Sequence, residues 1–255
     1  MARPFRDEAA AALAPAERER YARQLPCLGE SGQQRLKRAH IVVAGAGGLG
    51  SPVAIYLAAA GVGRLTLVDC DTVDRSNLNR QVLHGETDLG RPKVESGVEA
   101  LRALNPSIRI EGVRATITEQ NAAGLVGDAD GIVDAMDNYP VRFVLNRVSH
   151  ERGIPLFHGA IRGFYGQATT VVPHRGPCLA CLFRDVPPVE VVPALGATAG
   201  VIGCIQATEV VKYLTGEGEL LAGRLLLWDG LAGRAEEIAV EARAGCPVCS
   251  GGERR

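Results

Sequence analysis

Short apolar runs alternate with longer amphipathic stretches over the first 160 residues of the chain. The runs are continuous rather than alternating and rich in Val, Ile and Leu, which predicts parallel strands buried on both faces. The predicted strands lie at 40–44, 64–69, 108–113, 131–135 and 154–159.

The stretches between these runs have helical character. Glycines at 61 and 63 end the first of them, and Asn105-Pro106 ends the second, as helix stop signals do. A charged, helix-compatible segment at 16–38 precedes the first strand. The predicted helices that follow lie at 49–60, 93–104, 119–126 and 141–152.

The regular alternation of apolar runs and helical stretches ends after residue 160. Residues 163–172 and 225–228 predict further strands, 235–241 alternates like a half-exposed strand, and 198–214 predicts one long apolar helix. We therefore predict an α/β fold, a doubly wound, mostly parallel Rossmann-like sheet that antiparallel strands extend. The added part is expected to carry the surface that faces a partner.

A glycine-rich turn follows the first strand and opens the first helix of this βαβ unit. Gly45, Gly47 and Gly50 form G-x-G-x-x-G, and Gly48 lies between them. Such glycines let backbone approach a phosphate, and the helix N-terminus adds N–H donors. Asp69 ends the next strand, where a carboxylate accepts hydrogen bonds from ribose hydroxyls. The pattern predicts nucleotide binding; a tight turn made only for packing is the alternative.

A polar stretch at 71–81 and a G-x-P-K at 90–93 follow the second strand. A nicotinamide needs an apolar slot, so these residues argue against NAD. No G-x-x-x-x-G-K-[ST] occurs, so a triphosphate would need cations from elsewhere, and Arg80 and Lys93 are placed to supply them. Taken singly, Arg80 is equally explained as a surface ion-pair residue and Lys93 as an ordinary residue at a helix start.

Two Cys-x-x-Cys pairs occur late in the chain. Each pair presents two thiolates, and four thiolates complete the closed tetrahedral shell of a structural zinc ion. A redox-active or iron–sulfur site would use the same residues. The pairs are Cys178 with Cys181, and Cys246 with Cys249.

Taken together, these motifs resemble those of the MoeB/ThiF/HesA family, relatives of the ubiquitin-activating enzymes. They occur in order from about residue 17 to 249, nearly the whole chain. Besides the glycine turn and the cysteine pairs, they are R-Y-x-R-Q at 20–24, D-x-D at 69–71, S-N-L-x-R-Q at 76–81, G-x-P-K at 90–93 and D-x-x-D-N at 134–138.

The resemblance implies roles for these residues. The glycines and Asp69 would contact the nucleotide, Asp137 would hold Mg²⁺, and Arg23, with Arg20 nearby, would reach the ATP of the other subunit of a homodimer. The implied catalytic residues are Arg23, Arg80, Lys93 and Asp137. The implied nucleotide and Mg²⁺ contacts are Gly45, Gly47, Gly48, Gly50, Asp69, Asp71, Asn77, Arg80, Lys93, Asp137 and Asn138. On the residues alone, Asp137 and Asn138 are equally explained as a helix N-cap before Pro140, and the two arginines as a solvated face.

The resemblance further implies ATP-dependent adenylylation of the C-terminal glycine of a ubiquitin-like sulfur-carrier protein ending in Gly-Gly, MoaD-like or ThiS-like. That reaction prepares the carrier for thiocarboxylation in molybdenum cofactor or thiamine biosynthesis. ATP, Mg²⁺ and Zn²⁺ are the implied cofactors, and Zn²⁺ would be structural. Residues 1–255 are expected to form one ThiF-type domain, with a nucleotide-binding half at about 16–160 and a carrier-binding, zinc-containing half at about 161–250.

Many such relatives carry another cysteine before the long helix, but residues 186–195 contain none here. We therefore expect adenylylation without covalent transfer to this protein. No rhodanese-like extension is present either, so a separate sulfur donor is expected. Cys204 falls within the apolar helix and is expected to be a packed thiol, and the isolated Cys27 and Cys70 are expected to be structural.

Composition and charge exclude several classes of protein. The chain is 46% hydrophobic and 22% charged, with a net charge of −1, so no basic face for nucleic acid is expected. No apolar run is long enough for a membrane span, and the short alanine tract within residues 1–14 does not suit a secretory signal. A cytoplasmic location is the resulting expectation.

Three other functions remain as alternatives. The first is an NAD-dependent oxidoreductase, which the polar segment disfavours. The second is ATP-dependent activation of a small carboxylate or a tRNA base. The third is a zinc-stabilised binding module for ubiquitin-like proteins that has lost catalysis.

Overall fold

The computed structural model describes residues 12–183 and 193–250. The alanine tract near the N-terminus falls mostly outside the described residues, and so does most of the cysteine-free segment 186–195.

The chain folds into alternating helices and strands. In order, they are α1 (Pro15–Arg20), α2 (Leu25–Arg38), β1 (His40–Ala44), α3 (Gly50–Ala60), β2 (Arg64–Asp69), α4 (Lys93–Leu104), β3 (Arg109–Arg114), α5 (Ala122–Val126), β4 (Gly131–Asp134), α6 (Tyr139–Arg152), β5 (Leu156–Arg162), β6 (Tyr165–Val171), α7 (Leu179–Leu182), α8 (Gly196–Thr215), β7 (Arg224–Asp229) and β8 (Arg234–Ala239).

The strands form one eight-stranded sheet in the order β3-β2-β1-β4-β5-β6-β7-β8. The first five strands in that order are mutually parallel, and β6, β7 and β8 add antiparallel pairs at one side. This arrangement confirms the predicted fold class. The chain proceeds outward in opposite directions from β1 and β4, so a crevice opens between the carboxyl ends of these two strands, where α/β folds bind ligands.

Two apolar layers cover the two faces of the sheet, as a parallel sheet buried on both sides requires. Alternate residues of β1 divide between them: Ile41 and Val43 join the layer beneath α3, α4 and α8, while Val42 and Ala44 join the layer beneath α5 and α6. The second layer continues into the cysteine pairs. All five residues of β1 are buried, which agrees with its continuous apolar sequence.

The helix-compatible segment 16–38 is not one helix. It forms α1 and α2, separated by the turn at 21–24, and Gly29 breaks the helical backbone again with φ of +66°. Tyr21 is buried at the turn, and its hydroxyl accepts a hydrogen bond from Asn105. A long-range contact therefore ends α1. The turn at 21–24 contains no glycine or proline from which this helix end could have been predicted.

Two other predicted boundaries are corrected by local contacts. The helix predicted from residue 119 begins at Ala122, because the Asn121 side chain accepts a hydrogen bond from the Thr118 N–H and forms a turn. The strand predicted at 154–159 starts at Leu156 and continues to Arg162, because β6 pairs with it along its whole length.

The added part of the sheet differs in exposure from the parallel part. Helix α8 packs against α3, β5 and β6, and ten of its residues are buried. By contrast, every residue of β8 is exposed. Within the described ranges, no helix combines the length and the apolar character needed to span a membrane.

Candidate active site and metal centre

The glycine turn lies in the crevice between β1 and β4. Gly45 has φ of +99°, and a Cβ there would lie 2.7 Å from the Ala135 carbonyl oxygen. A Cβ on Gly50 would lie 1.9 Å from the Gly45 oxygen. These two glycines are therefore required by the fold itself.

Gly47 and Gly48 have no such packing requirement. A Cβ on either would lie about 3.5 Å from the nearest side chain, an ordinary contact. Helix α3 begins immediately after this pair, so its N-terminal N–H groups face the same space. The backbone at Gly47 and Gly48 thus forms a cradle that a side chain would fill, as expected where a ligand approaches closely.

Two side chains hold Ala46, the residue between the first two motif glycines. Asp69 accepts a hydrogen bond from the Ala46 N–H at 2.8 Å, and His84 Nε2 lies 3.0 Å from the Ala46 carbonyl oxygen. The other ring nitrogen of His84 contacts Ser96. Burial lowers the pKa of His84, which keeps the ring neutral as a donor to that carbonyl. No sequence pattern predicted a role for His84, because a lone histidine has no motif spacing.

A buried lysine links the D-x-D motif to α4. The Lys93 ammonium lies 2.9 Å from the Asp71 carboxylate, and the Asp71 N–H donates to Asp69 at 2.8 Å. The hydrogen bond from Lys93 lowers the pKa of Asp71, which stays ionised. The predicted residues Asp69, Asp71 and Lys93 therefore form one connected set, in which Lys93 already has a carboxylate partner.

Arg80 lies against the glycine cradle. Its Cγ would be 3.5 Å from a Cβ on Gly48, and its guanidinium donates to the Ser76 carbonyl and the Asn79 side chain. Gly196, the first residue of α8, packs on the backbone of Asn79 and Arg80. Among the residues that the structure describes, Arg80 forms no ion pair, so its positive charge is available to the crevice.

Asn77 and Asn138 both make local turn contacts. The Asn77 side chain accepts a hydrogen bond from the Asp74 N–H at 3.3 Å. The Asn138 side chain caps α6 by accepting from the Val141 N–H at 3.1 Å, the structural role that its sequence position suggested. Their predicted contacts with a nucleotide stay predictions.

Asp137 lies at the end of the turn that follows β4. It is exposed, and its only hydrogen bond among the described residues is a long one of 3.3 Å from the Asn138 amide. Because β1 and β4 are neighbouring parallel strands, this carboxylate and the glycine cradle follow the same edge of the sheet. Asp137 is thus placed as a carboxylate that is free to take a metal ion.

Three buried residues behind this turn were missed or given no role. Asp134 is the first residue of the D-x-x-D-N motif, but the sequence predicted no function for it. Arg142 and His158 belong to none of the motifs. All three are buried, and both Arg142 and His158 contact Asp134 at the end of β4.

The arginines of the R-Y-x-R-Q segment are not part of this cluster. Arg20 donates to the Leu104 carbonyl oxygen at 3.1 Å, on the far end of α4. Arg23 is exposed in the turn between α1 and α2, and no hydrogen bond or ion pair joins it to the rest of the described chain. The structure of one chain does not bring Arg23 to the glycine cradle.

The four cysteines of the two pairs do come together, although 68 residues separate the paired members. The Sγ atoms of Cys178 and Cys246 are 3.7 Å apart, those of Cys181 and Cys249 are 3.4 Å apart, and all four lie within 4.8 Å of one another. This is the donor set and the spacing of a tetrahedral thiolate site.

The surroundings of the cysteines act on their thiols in opposite directions, because burial raises the pKa of Cys178 and of Cys249, whereas the pKa of Cys246 is lowered. Burial opposes ionisation of Cys246, but hydrogen bonds from the Cys249 and Val248 N–H groups outweigh it and lower its pKa to about 6. Burial raises the pKa of Cys178, and the neighbouring Asn146 amide, whose buried Nδ2 has no hydrogen-bond partner among the described residues, opposes that rise. An ionised Cys178 would satisfy that orphaned donor, so the residues fit a bound divalent metal.

The remaining cysteines differ from expectation in their exposure. Cys27 and Cys70 are exposed rather than packed, and Cys204 on α8 is partly exposed, although burial still raises the pKa of its thiol. The exposure of Cys27 and Cys70 gives no support to the structural role predicted for them, and the packed thiol predicted at Cys204 is only partly buried.

Comparison with known proteins identifies the family of the chain. The sequence profile described as the ThiF family matches residues 21–248. The SAMP-activating enzyme E1 of Haloferax volcanii is 48% identical over 242 residues, covering 92% of this chain and 89% of that protein. The sulfur carrier protein adenylyltransferase of Thermus thermophilus is 44% identical over 246 residues, covering 91% of each.

A third relative, the mouse adenylyltransferase and sulfurtransferase MOCS3, is 45% identical over 248 residues, and the match spans 54% of its length. Among solved structures, Escherichia coli MccB with ATP matches 91% of this chain and 74% of its own, with a TM-score of 0.83 and 22% identity. That likeness supports the fold alone. The names of the sequence relatives confirm the predicted enzyme class, an adenylyltransferase, over the oxidoreductase alternative. The chain belongs to the ThiF family.

Proposed function

We propose that this protein uses ATP to adenylylate the C-terminal glycine of a ubiquitin-like sulfur-carrier protein. The observation that carries the proposal is the open backbone cradle at Gly47 and Gly48, which is flanked by Arg80 and follows the same edge of the sheet as Asp137. The names of the two full-length relatives supply the substrate class.

The reaction needs charge neutralisation more than a nucleophilic side chain. A carboxylate oxygen of the carrier attacks the α-phosphorus of ATP, the bond to the pyrophosphate oxygen breaks, and a mixed anhydride remains. Carboxylate and triphosphate repel each other, so the site must align them and stabilise the charge on the leaving group. In the proposal, Arg80 contacts the phosphates directly, and Asn77 orients them.

The Lys93–Asp71 pair sets the charge beside the cradle. The Lys93 ammonium is buried, and its Asp71 partner is mostly exposed. In the proposal, the phosphates compete with the Asp71 carboxylate for this ammonium, while Asp69 accepts the ribose hydroxyls. Asp71 thereby keeps the Lys93 side chain oriented before the nucleotide arrives.

Asp137 is the residue proposed to hold Mg²⁺, with Asn138 beside it. Its carboxylate is exposed and has one long hydrogen bond within the described part of the chain, so it can ligate an oxygen-preferring cation at little cost in broken contacts. The chemistry that Mg²⁺ supplies when bound is electrostatic stabilisation of the triphosphate and the leaving pyrophosphate.

The four cysteines are proposed to hold a structural Zn²⁺. All four positions of a tetrahedral shell are supplied by the protein, which leaves no coordination site for a reaction. The site joins α7, with Cys178 at its start and Cys181 within it, to the region near residue 250, so its role is to fasten the late part of the chain to the core layer at Asn146 and Leu179.

The carrier is proposed to dock on the antiparallel side of the sheet. Large apolar side chains there are exposed, including Phe164, Tyr165, Leu231 and Ile238. They lie on or beside β6, β7 and β8, and the described end of the segment before α8 pairs with Gly163 in the same region. An exposed apolar surface of this kind is typical of a protein interface.

The proposal includes a homodimer and a separate sulfur donor. Arg23 has no partner among the described residues of its own chain, which suits a side chain that reaches the nucleotide of a second subunit. Since residues 186–195 hold no cysteine, we propose that the acyl-adenylate is converted to a thiocarboxylate by another protein, in molybdenum cofactor or thiamine biosynthesis.

The reaction is tested by ATP–pyrophosphate exchange in the presence of Mg²⁺, with ubiquitin-like carriers added one at a time. We expect exchange to require one carrier and to disappear when its terminal glycine is deleted, because the attacking carboxylate is then displaced. A folded protein that supports no exchange with any carrier would contradict the proposal.

The glycine turn provides a second test with a matched pair of variants. We expect Gly50→Ala to lower the free energy of unfolding by about 2 kcal/mol or more, because the new Cβ overlaps the Gly45 oxygen. Gly48→Ala should leave the thermal midpoint unchanged but raise the KM for ATP about tenfold, roughly 1.4 kcal/mol of lost binding. Equal KM values for Gly48→Ala and wild type would show that no ligand approaches this backbone.

A further inference from the structure

A fully buried carboxylate lies directly behind the turn that carries Asp137. Asp134 is completely inaccessible to solvent at the end of β4. Burial of an ion without partners is costly by several kcal/mol, so its contacts indicate what it does. Its Oδ1 accepts a hydrogen bond from the Met136 N–H at 3.2 Å, and its Oδ2 lies 2.7 Å from His158 Nδ1.

The orientation of His158 follows from its surroundings. The ring is completely buried on β5, and this burial lowers its pKa, so the imidazole is neutral. Nδ1 therefore donates its proton to Asp134, and Nε2 accepts from the Gln167 amide at 3.3 Å. A single tautomer satisfies both contacts.

Arg142 completes the set from α6. It is buried, and its Nη2 and Nε donate to the Met136 carbonyl oxygen at 2.6 and 3.2 Å. The N–H of Met136 thus donates to the Asp134 carboxylate, and its carbonyl oxygen accepts from the Arg142 guanidinium. The carbonyl belongs to the peptide that leads into Asp137, so both side chains act on the backbone that aims this carboxylate.

We infer that Asp134, His158 and Arg142 are positioning residues that hold the Asp137 turn in the geometry needed for Mg²⁺·ATP. The inference rests on the proposed function. None of the three reaches the open crevice, since all are buried, so they act through Asp137 rather than on the reactants. Groups that orient a metal ligand typically change metal affinity by about 10–100-fold when removed.

The test compares substitutions of His158 in the full-length protein. His158→Leu removes the donor to Asp134, whereas His158→Asn places an amide N–H near the position of Nδ1. In carrier-dependent ATP–pyrophosphate exchange, we expect His158→Leu to raise the free Mg²⁺ concentration for half-maximal rate about tenfold or more, with most of the rate regained at saturating Mg²⁺. His158→Asn should restore a Mg²⁺ dependence within about threefold of wild type, a factor that corresponds to less than 1 kcal/mol. Calorimetric titration with Mg²⁺ and ATP in the absence of carrier, which does not depend on turnover, should show the same weakening in His158→Leu and the same recovery in His158→Asn.

A matched control separates positioning from general stability. His40 is a buried histidine at the start of β1, the opposite end of the sheet, and contacts Asp128 and Thr66. His40→Leu should lower the thermal midpoint without moving the Mg²⁺ dependence. Should His158→Leu fold poorly, His158→Gln serves instead, because its longer side chain keeps an amide but withdraws it from Asp134.

Each outcome decides the inference. An unchanged Mg²⁺ dependence in an active, folded His158→Leu or His158→Gln would overturn it, and so would an equal shift in His40→Leu or a failure of His158→Asn to restore wild-type behaviour. Absence of exchange in wild type with every carrier would instead overturn the proposed function, and the inference with it.

Discussion

Asp137→Ala is expected to reduce carrier-dependent ATP–pyrophosphate exchange by at least about 10²–10³-fold, the usual effect of removing one group that stabilises developing charge. The carboxylate is exposed, and its one long hydrogen bond within the described chain comes from its neighbour Asn138. The substitution should therefore leave the thermal midpoint and the zinc content unchanged. Exchange kinetics, thermal melting and elemental analysis of one preparation measure all three quantities.

An exposed aspartate away from the crevice provides the control. Asp128 contacts His40 and Arg64 at the opposite end of the sheet, and Asp128→Ala removes a carboxylate of the same kind. We expect wild-type exchange from this variant. If Asp137→Ala also exchanged at the wild-type rate, the assignment of the metal-binding carboxylate would be wrong.

Cys178→Ser should remove the metal from the four-cysteine site. A closed tetrahedral site binds about one zinc ion per chain, and we expect that content to fall to near zero. Cys178 is fully buried beside Asn146 and Leu179, so the loss also exposes part of the apolar layer. Loss of a structural metal belongs to the small class of changes that lower the free energy of unfolding by more than about 4 kcal/mol.

Zinc analysis and denaturant unfolding measure the two effects, and Cys204→Ser is the matched control. Cys204 lies on α8, is partly exposed, and is not among the four clustered thiols. This variant should keep its zinc and its unfolding midpoint. Retention of full zinc content and stability by Cys178→Ser would contradict a structural role for the site.

The sequence predicted best the elements whose signal is local. The run His40–Ala44 is apolar throughout and became a strand buried at every position, because a central parallel strand contacts helices on both faces. Helix α4 has the predicted bounds, since Pro92 precedes it and Asn105-Pro106 stops it. The break between α1 and α2 was missed because Tyr21 ends the first helix through a contact with Asn105, 84 residues away.

The residues of the candidate site likewise divide into those that local motifs predicted and those whose contacts only the structure shows. Motif spacing predicted the glycine turn, its acidic partner Asp69 and the two cysteine pairs, since those residues are set by short-range backbone geometry. The structure then connected Ala46 with Asp69 and brought the four thiols within 4.8 Å.

By itself, then, the sequence determined the class of fold, the glycine turn and the two cysteine pairs that are proposed to hold a metal ion. Only the tertiary structure decided the strand order, the pairing of Lys93 with Asp71, and the buried contacts of Asp134 with His158. The reason is physical. A charged or polar side chain such as these becomes buried where a residue from a distant segment supplies its hydrogen bond or ion pair, and the local sequence pattern does not contain that residue.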